Sequence, residues 1–197
     1  MTQHIDYYLT SISPFTYLGH TTLLQIAKDA GAKIRYKPVK LGQVFAVSGA
    51  LPLAERPKCR QAYRLLEIGR WAKKRGLPVN LHPAHFPTNP GLADSCVIAL
   101  QEAGQDAGVF LGQVLAACWS QQKDIADEAV IREILTALDI DADALVNQAQ
   151  SQQIQTLYEA NSAEAIDRGV LGSPAYLLNG EQFWGQDRLE LLAEALK

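Results

Sequence analysis

Residues Tyr7–Gly19 read YYLTSISPFTYLG, and the punctuation inside this run decides the fold. Ile5 to Leu9 is a short apolar and aromatic run of strand length. Ser13-Pro14 then opens a helix, with Ser as N-cap and Pro at the first helical position, where its missing N–H removes no hydrogen bond. Leu18, Leu23, Leu24 and Ala27 keep helical spacing up to a stop at Gly31. Lys33–Val39 (KIRYKPV) reads as a second strand with Pro38 marking its end. The chain therefore begins β–α–β.

Outward from this unit the character turns helical, from Gly42 to about Asp167. Ala62–Trp71 places Ala62, Leu65, Leu66 and Gly69 on one stripe with Arg and Glu opposite. Leu77–Pro90 is too rich in proline for a helix and reads as a loop. Ala93–Trp119 is alanine- and leucine-rich, interrupted only at Gly104 and Gly108, and Asp127–Leu138 and Asp143–Ala160 read as two further helices. The end returns to β: Ala175–Leu178, an Asn179-Gly180 hairpin turn, Gln182–Trp184, and a closing helix over Asp187–Leu196. The expectation is an α/β fold in the order β–α–β, helical block, β–β–α. Residues 1–41 and 168–197 would share one four-stranded mixed sheet, and residues 42–167 would form a helical insertion.

Composition narrows the function classes. A net charge of −3 gives no electrostatic footprint for nucleic acid or an anionic membrane. No apolar run approaches the roughly 20 residues that span a bilayer. The start MTQHIDYYLT has neither a basic region nor a small-residue cleavage site, and the reading is a cytoplasmic protein. Cys59, Cys96 and Cys118 are odd in number and far apart, which argues against a disulfide framework, a zinc site or a CxxC redox motif. His82 and His85 have no Cys or acid at ligand spacing, so no metal is expected.

Three places could carry chemistry. A helix start directly after a strand presents free N–H groups and partial positive charge, which favour a thiolate or other anion. The Ser13 hydroxyl there either donates to such an anion or caps the helix, and Ser11 is a second candidate. Gly172-Ser173-Pro174 entering a strand suits a tight turn whose Ser173 backbone can pair with an extended, peptide-like ligand. Trp184-Gly185-Gln186-Asp187 opens the last helix, where Asp187 either caps it or accepts from an ammonium group.

The run YYLTSISPFTYLG resembles the opening of 2-hydroxychromene-2-carboxylate isomerases, relatives of kappa-class glutathione transferases and DsbA-like oxidoreductases. The likeness continues through AYRLLEIGRW at Ala62–Trp71, then GSPAYLL and FWGQDRLELL, in family order over nearly the whole chain. The resemblance implies a thioredoxin-like fold with a helical insertion, and glutathione as cofactor. It implies that Ser13 contacts the glutathione sulfur and that Ser173 holds its backbone, across a cis Ser173-Pro174 bond facing Ser13. Trp184, Gly185, Gln186 and Asp187 would hold the γ-glutamyl end. The implied reaction is the cis–trans isomerisation of an aromatic-catabolism substrate to trans-o-hydroxybenzylidenepyruvate, by a homodimer.

DsbA-like relatives open the first helix with CxxC, whereas this chain has Ser13-Pro14, which disfavours thiol–disulfide exchange. On the substrate side, the resemblance places Phe45 where a family Lys stands and Ala54 and Glu55 where an Asn-Arg pair stands, with Phe86 as an aromatic over the substrate ring. Arg56, Lys58 or Arg60 could replace the missing charge. Two alternatives stay open: a kappa-like transferase or peroxidase acting on other electrophiles, and a non-catalytic thioredoxin-like binding domain.

Overall fold

A computed structural model of the chain describes residues 2–197. Strand β1 (His4–Leu9) lies at the centre of a four-stranded sheet with β2 (Lys33–Pro38), β3 (Ala175–Leu178) and β4 (Glu181–Trp184), in the order β2-β1-β3-β4. The β1–β2 pairing is parallel, with Ile5 opposite Ile34; β3 runs antiparallel to β1, and β4 antiparallel to β3. Crossing from β1 to a parallel β2 requires a helix between them, and α1 (Pro14–Ala30) supplies it. Ser13 caps that helix by accepting from the Thr16 N–H, and Gly31 ends it at φ 64.

β1 is buried on both faces, which explains its near-continuous apolar character. Ile5, Tyr7 and Leu9 join the main core with α1 and the insertion helices, while Tyr8 faces a smaller cluster with Val44, Ala165 and Val170. That second face is covered by α2 (Leu41–Ser48) and α8 (Gln152–Asp167).

The mixed sheet and the helical insertion are as expected, but the insertion is more finely divided. Ala93–Trp119 is two helices, α4 (Gly91–Glu102) and α5 (Gly108–Trp119). Gly104 at φ 73 and an Asp106 carboxylate accepting from the Gly108 N–H make the break. After α6 (Glu128–Ala137), Asp143–Ala160 also divides, into α7 (Ala142–Ala149) and α8, because Ser151 caps a new helix through the Ile154 N–H. The closing helix is a 3-10 turn at Gln186–Arg188 followed by α9 (Leu189–Ala195).

The helix read over Ala62–Trp71 is longer, α3 (Lys58–Arg75), and its inward face differs from the expected one. Ala62 and Leu66 are exposed, whereas Ile68 and Ala72 are buried and Arg64 is half-buried beside them. Among the described residues no helix is long and apolar enough to cross a membrane.

Candidate functional site

The turn from Thr10 to Ser13 joins the end of β1 to α1, and groups remote in sequence fix it. Asp94 of α4 is fully buried; its Oδ1 accepts from the Ser11 N–H at 2.8 Å and its Oδ2 from the Thr10 hydroxyl at 2.9 Å. The Tyr158 hydroxyl donates to the same Oδ2 at 2.8 Å. Burial pushes the Asp94 carboxyl up to about 6, against the opposing pull of these hydrogen bonds. Trp119 Nε1 donates to the Ile12 carbonyl at 3.2 Å. The turn thus rests on three insertion helices.

Ser173 closes it from the sheet side. Its Oγ accepts from the Thr10 N–H at 3.0 Å and lies 3.0 Å from the Thr16 hydroxyl. The Ser13 hydroxyl donates to the Ser173 carbonyl at 3.3 Å while accepting from the Thr16 N–H at 3.2 Å. The Ser173-Pro174 bond is cis, and it does face Ser13. The Ser173 N–H meets no acceptor among the described residues, so one backbone donor remains for a ligand.

A cavity of about 1050 Å³ opens over this junction. On its sheet side are Ser173, Pro174 and the run Trp184–Arg188. Gly185 sits at φ 104, and a Cβ there would lie 2.5 Å from Asp187 Oδ1, so only glycine fits this cradle. Gln186 is buried, with its side chain and carbonyl both accepting from Arg75 at 2.9 Å. Asp187 does not cap a helix; its carboxylate pairs with Arg188 at 2.7 Å. Trp184 is half exposed on the wall.

Of the residues singled out from sequence, Ser173, Trp184, Gly185, Gln186, Asp187 and Phe45 line this cavity together. Ser13 lies just beneath the lining, 7% exposed. Ser11 is fully buried, its N–H taken by Asp94, which removes it as a ligand-facing alternative. Ala54 and Glu55 sit on a 3-10 turn, Leu53–Glu55, outside the lining. Phe86 is not over the main cavity either; its ring lies tilted against Trp119 at 5.0 Å between centroids and lines an adjoining pocket of about 210 Å³.

Sequence reasoning missed Arg64, which lines both spaces. Its guanidinium is held 5.4 Å over the Phe86 ring and 5.8 Å over Trp119. Burial, and then the charge of Arg56, push it down to about 10. It also missed Asp94, although a lone acid inside the apolar run ADSCVIAL was a signal, since buried aspartates are rare unless bonded. The Cys96 and Cys118 thiols are buried and pushed up to about 12, and Cys59 lies on the cavity wall early in α3. No thiol stands at the start of α1.

Residues 4–197 match the model of the DSBA-like thioredoxin domain family. A 2-hydroxychromene-2-carboxylate isomerase from Sphingobium xenophagum is 31% identical over 200 residues, covering 100% of this chain and 99% of that protein. A solved 2-hydroxychromene-2-carboxylate isomerase superposes with a TM-score of 0.80 at 26% identity, covering 98% of this chain and 94% of that one. Glutathione S-transferase kappa 1 of Caenorhabditis elegans is 25% identical, over 98% of this chain and 90% of its own.

Proposed function

Because this chain belongs to the 2-hydroxychromene-2-carboxylate isomerase family of DsbA-like thioredoxin domains, we propose that it is a glutathione-dependent cis–trans isomerase of 2-hydroxychromene-2-carboxylate or a closely related aromatic acid. The observation that carries the reading is the junction of Ser13 with Ser173: a hydroxyl at a helix start, where DsbA-like oxidoreductases carry a cysteine, aimed at the residue before a cis-proline. The residues present fit glutathione. An unpaired Ser173 N–H suits its cysteinyl backbone, and the Gly185 cradle with Asp187 suits an ammonium-bearing end.

Bound there, glutathione would supply the thiolate that adds reversibly to the conjugated enone, lets the former double bond rotate, and leaves unchanged. The chain's own share is orientation and charge stabilisation. Ser13 donates its proton toward the sulfur position, and the N–H groups of the first turn of α1 add partial positive charge. The 3.3 Å bond from Ser13 to the Ser173 carbonyl is long for an O–H···O contact, so redirecting the proton costs little. Ser173 and the Trp184–Asp187 run hold the tripeptide in register, which turns an encounter between two solutes into a positioned reaction. A cytoplasmic location suits a protein that relies on reduced glutathione.

The test is the absorbance change on isomerisation of 2-hydroxychromene-2-carboxylate by purified protein. Turnover should require glutathione and should not occur with S-methylglutathione, which lacks the thiol. Equal turnover without glutathione would sink the reading. The second reading is a kappa-like transferase, favoured by Phe45, Ala54 and Glu55 in place of the family's Lys and Asn-Arg pair. Conjugation of glutathione to a neutral electrophile, with no isomerisation, would select it.

A further inference from the structure

Part of the cavity lining is built by α3 and the segment before it, and it carries cations without counter-ions among the described residues. Arg56, Arg60 and Arg64 all line it, and none stands within ion-pair distance of a carboxylate among the described residues. The two carboxylates on the lining are engaged elsewhere, Glu67 with Arg70 at 2.8 Å and Asp187 with Arg188 at 2.7 Å. The Arg64 side chain makes no hydrogen bond among the described residues, only its approach to the rings of Phe86 and Trp119. A guanidinium has five N–H donors in a fork that matches a carboxylate. Its approach to the aromatic faces engages none of those donors within the protein, which leaves the fork open to the cavity.

Its neighbour adds to the imbalance. Arg56 is held 5.7 Å over the Phe45 ring, with its Nε donating to the Leu51 carbonyl at 2.7 Å. Its charge opposes that of Arg64, which is already penalised by burial and pushed down to about 10. A half-buried cation with a like charge nearby and no partner destabilises the free protein, and an anion between them relieves both penalties.

The position is suited to the acceptor rather than to the cofactor. Trp119, which supports Arg64 from below, donates to the carbonyl of Ile12, the residue before Ser13. Arg64 is therefore one indole ring away from the turn that would hold the sulfur. The glutathione footprint proposed above runs along another part of the lining, through Ser173 and Trp184–Asp187. Phe45 lines the cavity beside Arg56 and offers apolar surface for a ring, while Phe86 lies under Arg64 in the adjoining pocket.

We propose that Arg64, assisted by Arg56, is the specificity-determining residue of this cavity and receives the carboxylate of an aromatic acid acceptor. The assignment rests on the isomerase reading for the identity of the reaction, but not for the chemistry recognised. It replaces, from a different helix, the charge that Phe45, Ala54 and Glu55 do not provide.

Binding of trans-cinnamate and of cinnamamide, its neutral amide of the same shape, tests this by calorimetry on the purified chain. Cinnamate should bind at least tenfold more tightly, Arg64→Gln should abolish that preference, and Arg64→Lys should retain part of it. Glutathione affinity should be the same in Arg64→Gln as in the parent. Equal binding of cinnamate and cinnamamide by the parent would overturn the proposal without any variant. So would an Arg64→Gln protein that keeps the cinnamate preference but loses glutathione affinity, since the carboxylate on Arg64 would then be glutathione's own. Arg64→Gln orphans no protein partner and should melt no lower than the parent. Should it fail to fold, the cinnamate preference of the parent, falling as chloride is raised, still decides. Isomerase turnover is measured beside these: cinnamate discrimination without turnover defeats the isomerase reading alone, and turnover without discrimination defeats only the role of Arg64.

Discussion

Ser13→Ala is the substitution that separates a catalytic hydroxyl from a helix cap. Two contacts vanish with the side chain: the bond accepted from the Thr16 N–H at 3.2 Å and the bond given to the Ser173 carbonyl at 3.3 Å. The first is an N-cap, worth about 1 kcal/mol when replaced by alanine. The second is long and adds a few tenths at most, so urea unfolding should register a loss of about 1–1.5 kcal/mol. A loss of that size leaves a stable domain folded at 25 °C, where 5–15 kcal/mol is usual. Structural damage alone therefore predicts nearly full turnover. If the hydroxyl also steadies a thiolate, turnover should fall about 10²–10³-fold, the usual effect of removing one well-aimed donor to an anion. The apparent pKa of the bound glutathione thiol, followed by thiolate absorbance in the ultraviolet, should rise in step. Ser13→Cys keeps a side chain at the cap and should bring thiol–disulfide exchange activity while losing isomerisation. Ser11→Ala is the control, because that hydroxyl is fully buried. Turnover and thiol pKa unchanged in Ser13→Ala, beside the expected loss of stability, would refute the reasoning and leave Ser13 as a cap.

Asp94 makes stability depend on pH. Its carboxyl is raised from 3.8 to about 6 in the folded chain, so its contribution is fully present below the unfolded value and is lost as pH rises through 6. The stability difference between the parent and Asp94→Asn should shift by about 3 kcal/mol between pH 3 and pH 7.5, in favour of Asn at the higher pH; a flat difference would mean that Asp94 titrates in the folded chain where it does in the unfolded one. Asp187→Asn removes an ion pair whose side chains are 40% and 51% exposed, so stability should change by less than about 1 kcal/mol. Glutathione affinity should nevertheless fall about tenfold through loss of a charged contact, and unchanged affinity by calorimetry would confine Asp187 to its pairing with Arg188.

What the sequence made legible follows a physical division. Ser13-Pro14, Gly31 and Asn179-Gly180 act within a turn, and each lies where local chemistry puts it: Ser13 bonds three residues ahead, Gly31 has φ 64, and Asn179 and Gly180 have φ 52 and 87. The sheet and α1 follow from such signals. The insertion was less legible because an alanine-rich run hides its breaks, which depend on single groups such as Asp106 and Ser151. Arg64 was illegible for a stronger reason. Charge on a helix reads as the solvated face, and that holds only where the other face packs on a core. α3 instead roofs a cavity, so Leu66 is 56% exposed while Arg64 turns inward over aromatic rings. Its position follows from the cavity that α3 covers, which no amphipathic pattern records.

The same division bears on how the insertion serves the site. Asp94, Trp119 and Tyr158, from α4, α5 and α8, all bond to the Thr10–Ile12 turn or to the carboxylate that holds it. Asp94, Trp119 and Tyr158 are all buried, and Asp94 reaches Thr10 across 84 positions of sequence. A buried network of this kind is worth most when complete, because each member left alone becomes an unsatisfied polar group. The sheet unit separated from residues 42–167 would orphan the Ser11 N–H and the Ile12 carbonyl together, directly beside Ser13. The insertion is therefore more than a roof over the acceptor. It positions the start of α1, and it brings Arg64 to the lining of the same cavity, so the turn proposed to steady a sulfur and the cation proposed to take an acid are set by one packed body.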